Sequence, residues 1–206
     1  MLTLYLIIAT SVLSFISFQN HNILGRLIFN PFIVSKKGEW YRFISSGFIH
    51  ADWIHLLVNM FVLFSFGGAV EHYFQEYFPN QGKVLFLILY FGGLMCSILP
   101  TYKKHRENPH YNALGASGAV SSVVFAFILF NPLQELCLYG ILCLPGIIFG
   151  AIYLFYCYYM GKKGGDNINH DAHMWGAIYG FVFTILLKPE LFIQFFNQIF
   201  HTYNDI

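Results

Sequence analysis

Charged side chains are scarce in this sequence, which argues against most soluble folds. Only 10% of the 206 residues are Asp, Glu, Lys or Arg, against about 25% in a typical soluble domain. The two signs almost cancel at a formal net charge of +1, which gives no basis for a nucleic-acid partner. Apolar residues take their place, since 57% of the chain is hydrophobic and Phe alone occurs 24 times. The composition therefore predicts a multi-pass integral membrane protein surrounded by a lipid bilayer.

Metal-binding and disulfide patterns are also lacking. The four cysteines form no Cys-x-x-Cys pair and lie in or beside apolar runs, so we interpret them as small hydrophobic residues. They are Cys96, Cys137, Cys143 and Cys157. Other potential metal ligands are His50, His55, His170, Asp171 and His173. The chain has no His-Glu-x-x-His string, and the five-residue step from His50 to His55 is poor spacing for one helical face. The sequence therefore predicts no metal site and no cofactor.

Six apolar stretches approach the length of a membrane-spanning helix, about 17–25 residues. They cover roughly 1–18, 53–71, 83–100, 116–131, 139–160 and 172–188. This pattern predicts an all-α bundle of six transmembrane helices. We expect a single domain over 1–206, with its core at 38–188. We interpret the first stretch as a retained span, because no basic region precedes it and no convincing cleavage site follows.

Two segments outside these stretches are expected to contact the membrane surface. The first connection, 19–52, is long for so small a membrane protein and contains amphipathic pieces. We therefore expect it to be structured and membrane-associated. Its residues Trp40 and Tyr41 are typical of the bilayer interface. The tail 189–206 is amphipathic too, and we expect it to lie along the membrane surface.

A small-residue motif, Gly115-Ala116-Ser117-Gly118, opens the fourth apolar stretch. The amides at a helix N-terminus favour negative charge, and small neighbours allow another backbone or a substrate to approach closely. Ser117 is therefore placed where a nucleophile could act. The alternative is that these small residues serve only in helix packing.

Polar side chains inside apolar stretches are functional candidates, because burying them without partners is costly. His55 and Asn59 are four residues apart and share one helical face. Asn59 could instead hydrogen-bond between helices, and His55 could be a neutral histidine bonded to a backbone carbonyl. Both alternatives remain open from the sequence.

The last apolar stretch carries a histidine on a glycine stripe, with His173, Gly176 and Gly180 at three-then-four spacing. Such a stripe lets two membrane helices approach closely. The fourth stretch offers a matching face of small residues, namely Ser117, Gly118, Ser121 and Ser122. If the two faces pack together, Ser117 and His173 meet, and a serine–histidine pair is the minimum for nucleophilic catalysis.

Together these residues resemble the rhomboid family of intramembrane serine proteases over about residues 38–185. The family's Gly-x-Ser-Gly pattern matches Gly115-Ala116-Ser117-Gly118, which implies Ser117 as the nucleophile. Its Ala-His-x-x-Gly-x-x-x-Gly pattern matches the segment from Ala172 to Gly180, which implies His173 as the general base. Gly115, Gly118, Gly176 and Gly180 are then supporting residues.

Further matches lie upstream. The His-x-x-x-Asn pattern matches His55 and Asn59 and implies both side chains as oxyanion-hole donors, with the Ser117 amide. Trp40-Tyr41-Arg42 resembles the Trp-Arg element of the family's first loop and implies a supporting role for Arg42, although Tyr41 replaces the usual tryptophan. His50 matches a loop-structuring histidine, and Gly67-Gly68-Ala69-Val70-Glu71 matches the glycine–glutamate end of the second span.

One departure concerns the position four residues after the nucleophile. The family often carries Tyr or Phe there, stacked on the catalytic imidazole, whereas this chain has Ser121. Two outcomes are open from the sequence: the histidine is held less rigidly, or another aromatic residue such as Trp175 or Phe125 substitutes for the missing ring.

The resemblance implies an intramembrane serine endopeptidase that cleaves transmembrane segments of membrane proteins without a cofactor. We expect it in the cell (inner) membrane of a bacterium. A second reading is a rhomboid-like non-protease that binds membrane helices for quality control, but such relatives lack the serine or the histidine. A small-solute transporter would need polar residues along a path through the bundle, whereas these collect toward one side.

The basic residues and the family resemblance predict opposite orientations. With six spans, nine of the eleven Lys and Arg residues fall in the first, third and fifth connections, against only Lys83 and Lys188 in the others. The positive-inside rule would place those nine in the cytoplasm. The resemblance implies cytoplasmic termini with the serine opening to the outside, and this is the orientation we expect.

Overall fold

The computed structural model describes residues 1–138 and 142–201 as a set of helices with one short β-hairpin. The helices are α1 (Leu2–Gln19), α2 (His21–Leu27), α3 (Pro31–Lys37), α4 (Arg42–Ser45), α5 (Trp53–Tyr77), α6 (Gly82–His105), α7 (Ser117–Phe130), α8 (Gly146–Lys163), α9 (His170–Leu187) and α10 (Glu190–His201). A 3₁₀ turn, Ser46–Phe48, follows α4. The hairpin pairs β1 (Glu135–Leu138) with β2 (Leu142–Pro145) in antiparallel register.

Each predicted span contains a helix, but fewer than six of these helices are long and apolar enough to cross a membrane. Among the described residues α1, α5 and α6 meet that test, and α9 with α10 adds a fourth if the pair, bent by 111°, counts as one span. The apolar helix α7 has only 14 residues, or about 21 Å against a hydrocarbon core of about 30 Å. The protein is therefore mostly helical, with three or four candidate membrane spans.

The fifth predicted stretch is only partly helical. Its helix begins at Gly146, after Pro145, and the residues just before it form β2. Residues 139–141 lie outside the described residues. The antiparallel register sets Cys137 opposite Cys143, and the two form a disulfide. Our interpretation of these two cysteines as unpaired hydrophobic residues is wrong, because strand pairing, absent from the predicted helix, brings them together. Cys96 and Cys157 are free thiols.

Helix α7 lies at the centre of the bundle. Every residue from Gly118 to Phe130 is buried, and α5, α6 and α9 all pack against it. Apart from three serines, its sequence is apolar on every face, as expected of a helix enclosed on all sides. Ser117, the first residue of α7, is the only one that is not fully buried.

Helices α7 and α9 pack backbone to backbone, as the spacing of their small residues predicted. A Cβ added at Gly176 would overlap the carbonyl of Gly118, and one added at Gly180 would overlap the carbonyl of Ser122. Because Gly118 faces Gly176 and Ser122 faces Gly180, the two helices run in the same direction. Their N-terminal ends therefore lie side by side.

The connection between α1 and α5 is held together by Arg42. This side chain is only 4% exposed and forms an ion pair with Glu39. It also donates hydrogen bonds to the carbonyls of Gly25 (2.9 Å) and Ile28 (2.6 Å). Tyr41, which stands where the family's tryptophan would be, is exposed and donates to the carbonyl of Arg26 at 3.1 Å.

The same connection reaches the segment that precedes α7. Phe29 and Ala113 exchange two backbone hydrogen bonds of 3.0 and 2.9 Å. The amide of Gly115 donates to the carbonyl of Ser46 at 2.9 Å. These bonds fix the position of the loop that delivers Ser117 to the start of α7.

Candidate active site

Ser117 opens onto a small cleft at the N-terminal end of α7. The cleft has a volume of about 20 Å³, enough for about one water molecule. Several polar groups line it together with Ser117, namely Ser46, Ser97 and Asn169. A water molecule there would find hydrogen-bonding partners beside the serine hydroxyl.

Gly115 brings the backbone against the imidazole of His55. Its φ of 112° lies in the left-handed region, which glycine adopts readily. A Cβ at this position would lie 2.7 Å from Cε1 and 2.8 Å from Nε2 of His55. Only glycine therefore permits both this turn and the close approach of His55 to the segment leading to Ser117.

His50 holds the segment that leads to Ser117 through a hydrogen bond to its backbone. Its Nε2 accepts a hydrogen bond from the amide of Ala116 at 3.3 Å, so this nitrogen carries no proton. The proton then resides on Nδ1, which lies 3.0 Å from the hydroxyl oxygen of Ser14. Burial, reinforced by neighbouring His55 and opposed by Asp52, lowers the pKa of His50 to about 3. The ring is therefore neutral and serves to position the loop.

His55 and Asn59 lie one turn apart on α5, and the His55 ring lies beside Gly115 in the segment before α7. Asp52 caps α5 by accepting a hydrogen bond from the His55 amide at 2.8 Å. The Asn59 side chain, only 6% exposed, donates to the carbonyl of His55 within the same helix at 2.9 Å. In the described part of the chain, Asn59 makes no hydrogen bond to another helix and the His55 ring none to a backbone carbonyl.

His173 stands in the first turn of α9, which Asn169 caps by accepting from the amide of Ala172 at 3.1 Å. The ring of Tyr153 lies parallel to its imidazole, with 6° between the planes and 6.4 Å between the centroids. The Tyr153 hydroxyl is 2.8 Å from the hydroxyl of Ser121. Ser121 thus fixes a tyrosine supplied by α8.

The alternative in which Trp175 or Phe125 replaces the missing aromatic residue is wrong. Trp175 is 42% exposed, and Phe125 packs on Tyr153 with 5.9 Å between the ring centroids. No sequence signal distinguished Tyr153. It lies among many aromatic residues of an apolar helix, and only the packing of α8 on α9 selects it.

Ser117 and His173 occupy the two adjoining helix ends. Ser117 precedes Gly118 by one residue, and His173 precedes Gly176 by one helical turn. Among the described residues, 1–138 and 142–201, neither side chain has a hydrogen-bond partner. Catalytic hydrogen bonds are often long before substrate binds.

Among the described residues, no carboxylate is hydrogen-bonded to His173. Asp171 forms an ion pair with Lys104 at 3.7 Å. The neighbour of His173 is instead His170, whose ring centroid is 6.1 Å away. The arrangement offers a hydroxyl, an imidazole, nearby amide and imidazole donors, and a cleft for water, which are the elements of acyl transfer.

Comparison with known proteins identifies relatives of this chain. The family model for the Rhomboid domain matches residues 37–190. YdcA, a candidate rhomboid protease of Bacillus subtilis (strain 168), is 31% identical over 153 residues, which cover 72% of this chain and 68% of YdcA. RHOMBOID-like protein 12, mitochondrial, of Arabidopsis thaliana is 27% identical over 166 residues, covering 74% of this chain. Rhomboid-like protein 11, chloroplastic, from the same plant is 29% identical over 164 residues, covering 72%. The chain spans about half the length of the two plant relatives, 49% and 53%.

Proposed function

The chain belongs to the rhomboid family, and on this premise we propose that it is an intramembrane serine endopeptidase with a Ser117–His173 dyad. The observation that carries this proposal is the glycine-mediated contact of α7 and α9, which sets the two residues at adjoining helix ends. The names of its relatives include a candidate protease, and both dyad residues are present here.

The proposed reaction follows from these positions. His173 takes the proton of the Ser117 hydroxyl as the oxygen attacks the scissile carbonyl, and then gives it to the leaving amine. Water enters through the cleft and hydrolyses the acyl-enzyme, with His173 again acting as the base. His55, Asn59 and the Ser117 amide stabilise the oxyanion, and one strong donor of this kind contributes about 3–4 kcal/mol.

The proposed substrate is a transmembrane segment of another membrane protein. A scissile amide within an intact helix is already hydrogen-bonded, so the segment must unwind locally before it reaches Ser117. Helix-breaking Gly or Pro residues near the cut favour this step.

We further propose six spans, with α7 and α8 crossing as well, and a first connection associated with the membrane surface. The rhomboid unit is the single domain 1–206, with a core at 38–188 and an amphipathic tail at 189–206. Residues 202–206 of that tail lie outside the described residues. Helix α10, bent sharply from α9, exposes Phe192, Ile193 and Phe200, in keeping with a surface position.

The proposed location is the cell (inner) membrane of a bacterium, which likeness to YdcA supports, although the two plant relatives carry organellar names.

The proposed orientation places the α8–α9 loop outside. A cysteine introduced at Gly164, in a variant lacking all four native cysteines, should react with an impermeant maleimide applied to intact cells. Gly164 suits this purpose, because a side chain added there meets no atom within 4 Å. Labelling only after the membrane is opened would support the orientation predicted by the basic residues instead.

A fluorophosphonate probe and a generic transmembrane substrate test the activity. The purified protein should react with the probe at Ser117 and cleave the substrate, whereas Ser117→Ala and His173→Ala should remain folded and do neither. Ser65→Ala is a matched control, since Ser65 is an exposed serine on α5. Equal cleavage by Ser117→Ala would rule out the serine mechanism. Substrate binding without cleavage by the unmodified protein would favour the helix-binding alternative.

A further inference from the structure

A cluster of three metal-ligating side chains lies where α8 meets α9. The Cys157 sulfur and one imidazole nitrogen each from His170 and His173 all lie within 4.8 Å of one another. Cys157 is a free thiol and is 1% exposed, and His170 is 3% exposed. Helical spacing brings these three side chains together. His170 and His173 are three residues apart on α9, and Cys157 follows Tyr153 by four residues on the α8 face that stacks on His173.

The hydrogen bonding of His170 is a second, independent observation that points to a bound metal ion. Its Nε2 lies 2.9 Å from a carboxylate oxygen of Asp166, so that nitrogen holds the proton and donates it. Its Nδ1 is buried and has no hydrogen-bond partner. A buried acceptor without a partner is costly, and a metal ion is a partner that Nδ1 can take. The carboxylate–imidazole pair also orients histidine ligands in metalloproteins.

We propose that Cys157, His170 and His173 form a zinc-binding site that inhibits the protein. On binding zinc, the Cys157 thiol releases its proton to solvent. One thiolate and two imidazoles are ligands that zinc prefers, with a fourth position left for water. In a tetrahedral zinc site such ligand atoms lie about 3.5 Å apart, so the cluster must contract by about 1 Å to bind the ion. Rotation of the three side chains can supply this movement without displacing either helix.

Inhibition follows from the identity of the third ligand. Zinc occupies the lone pair with which His173 would accept the proton of Ser117, so the bound ion removes the general base. This consequence rests on the proposed function, whereas metal binding itself does not. Asp166 does not itself bind the metal but strengthens the site, because its carboxylate holds the proton on Nε2 of His170 and leaves Nδ1 free to bind the ion. The hydrogen bond to His170 also lowers the pKa of Asp166.

Cobalt(II) binding tests the site without any need for proteolysis. Purified Ser117→Ala protein titrated with Co²⁺ should show a thiolate-to-cobalt charge-transfer absorption. The band should be absent from Ser117→Ala/Cys157→Ser and retained in Ser117→Ala/Cys96→Ser, which removes the other free thiol. Asp166→Asn, added to Ser117→Ala, should weaken cobalt binding by about 10–100-fold. Absence of the band in Ser117→Ala, or its persistence without Cys157, would overturn the site.

Zinc inhibition tests the regulatory consequence. Zn²⁺ should inhibit substrate cleavage by the unmodified protein, and a chelator should reverse the effect. The inhibition of each variant is measured relative to its own metal-free activity. For half-maximal inhibition, Cys157→Ser should need at least about tenfold more zinc than the parent, whereas Cys96→Ser should need the same amount. If cobalt binds at the cluster but zinc does not change substrate cleavage, the proposed inhibition is wrong. It is also wrong if substrate cleavage requires zinc. A protein inactive under all conditions would refute the proposed protease alone, and the cobalt spectra would still decide the metal site.

Discussion

The Tyr153 ring lies parallel to the His173 imidazole, with 6° between their planes, and its hydroxyl is held 2.8 Å from that of Ser121. Tyr153, from the neighbouring helix α8, thus supplies an aromatic ring beside His173, and Ser121 is hydrogen-bonded to its hydroxyl. This arrangement keeps the imidazole in one plane next to the end of α7.

Substitution of Tyr153 should therefore lower turnover through the orientation of His173. We expect Tyr153→Ala to reduce kcat by about 10²-fold, the scale of a misplaced catalytic group. Tyr153→Phe keeps the ring and should lose only severalfold. Measured kcat values for the transmembrane substrate, with Tyr159→Ala as an exposed control, check this.

The Ser121–Tyr153 hydrogen bond can be isolated in a double-mutant cycle. Ser121→Ala and Tyr153→Phe remove the same bond, so the double variant should lose no more activity than either single variant. Additive losses would show that the two hydroxyl groups act separately.

His55 and Asn59 are the proposed oxyanion donors, and their loss should lower activity. His55→Ala and Asn59→Ala should each lower turnover by about 10²–10³-fold, the cost of losing one such donor. Thermal stability should fall much less than activity. His72→Ala is the matched control, because His72 is an exposed histidine on the same helix. Unfolding of Asn59→Ala, with unchanged activity per folded molecule, would identify Asn59 as a structural residue.

The α7–α9 contact should be intolerant of a single methyl group. Gly176→Ala and Gly180→Ala would each press a Cβ into a backbone carbonyl of α7. Because neither backbone can yield, we expect losses of stability at the upper end of the overpacking range, about 3 kcal/mol. Thermal unfolding in detergent measures this, with Gly25→Ala as the control, since a Cβ at Gly25 meets nothing within 4 Å. Parent-like stability of both variants would contradict the tight contact.

Acid should weaken the fold through His50. Its pKa falls from an ordinary 6.5 to about 3 in the folded protein, so folding favours the neutral ring. The contribution of the neutral His50 ring to the free energy of unfolding is fully present above about pH 6.5. It is lost as the pH falls toward 3, by up to about 1.4 kcal/mol per pH unit. Thermal unfolding at pH 7 and pH 5 should show a steeper decline for the parent than for His50→Asn. An identical decline would mean that His50 does not carry the effect, and His72→Asn should behave as the parent does.

The sequence by itself determined the class of the protein and the candidates for its chemistry. Scarce charge and long apolar runs indicated membrane helices, and within such runs each polar residue stands out because it is costly to bury. Ser117, His55, Asn59 and His173 were found in this way. The glycine spacing further predicted the contact of α7 with α9.

The tertiary structure decided what those residues touch. Only strand pairing showed that Cys137 and Cys143 are joined, and only the packing of α8 on α9 brought Tyr153 and Cys157 to His173. Lipid-facing and protein-facing positions of an apolar helix have the same composition, so periodicity does not reveal which face turns inward. The geometry of α8 therefore depends on its neighbours, whereas Ser117 and His173 stand out as candidates in their local sequence.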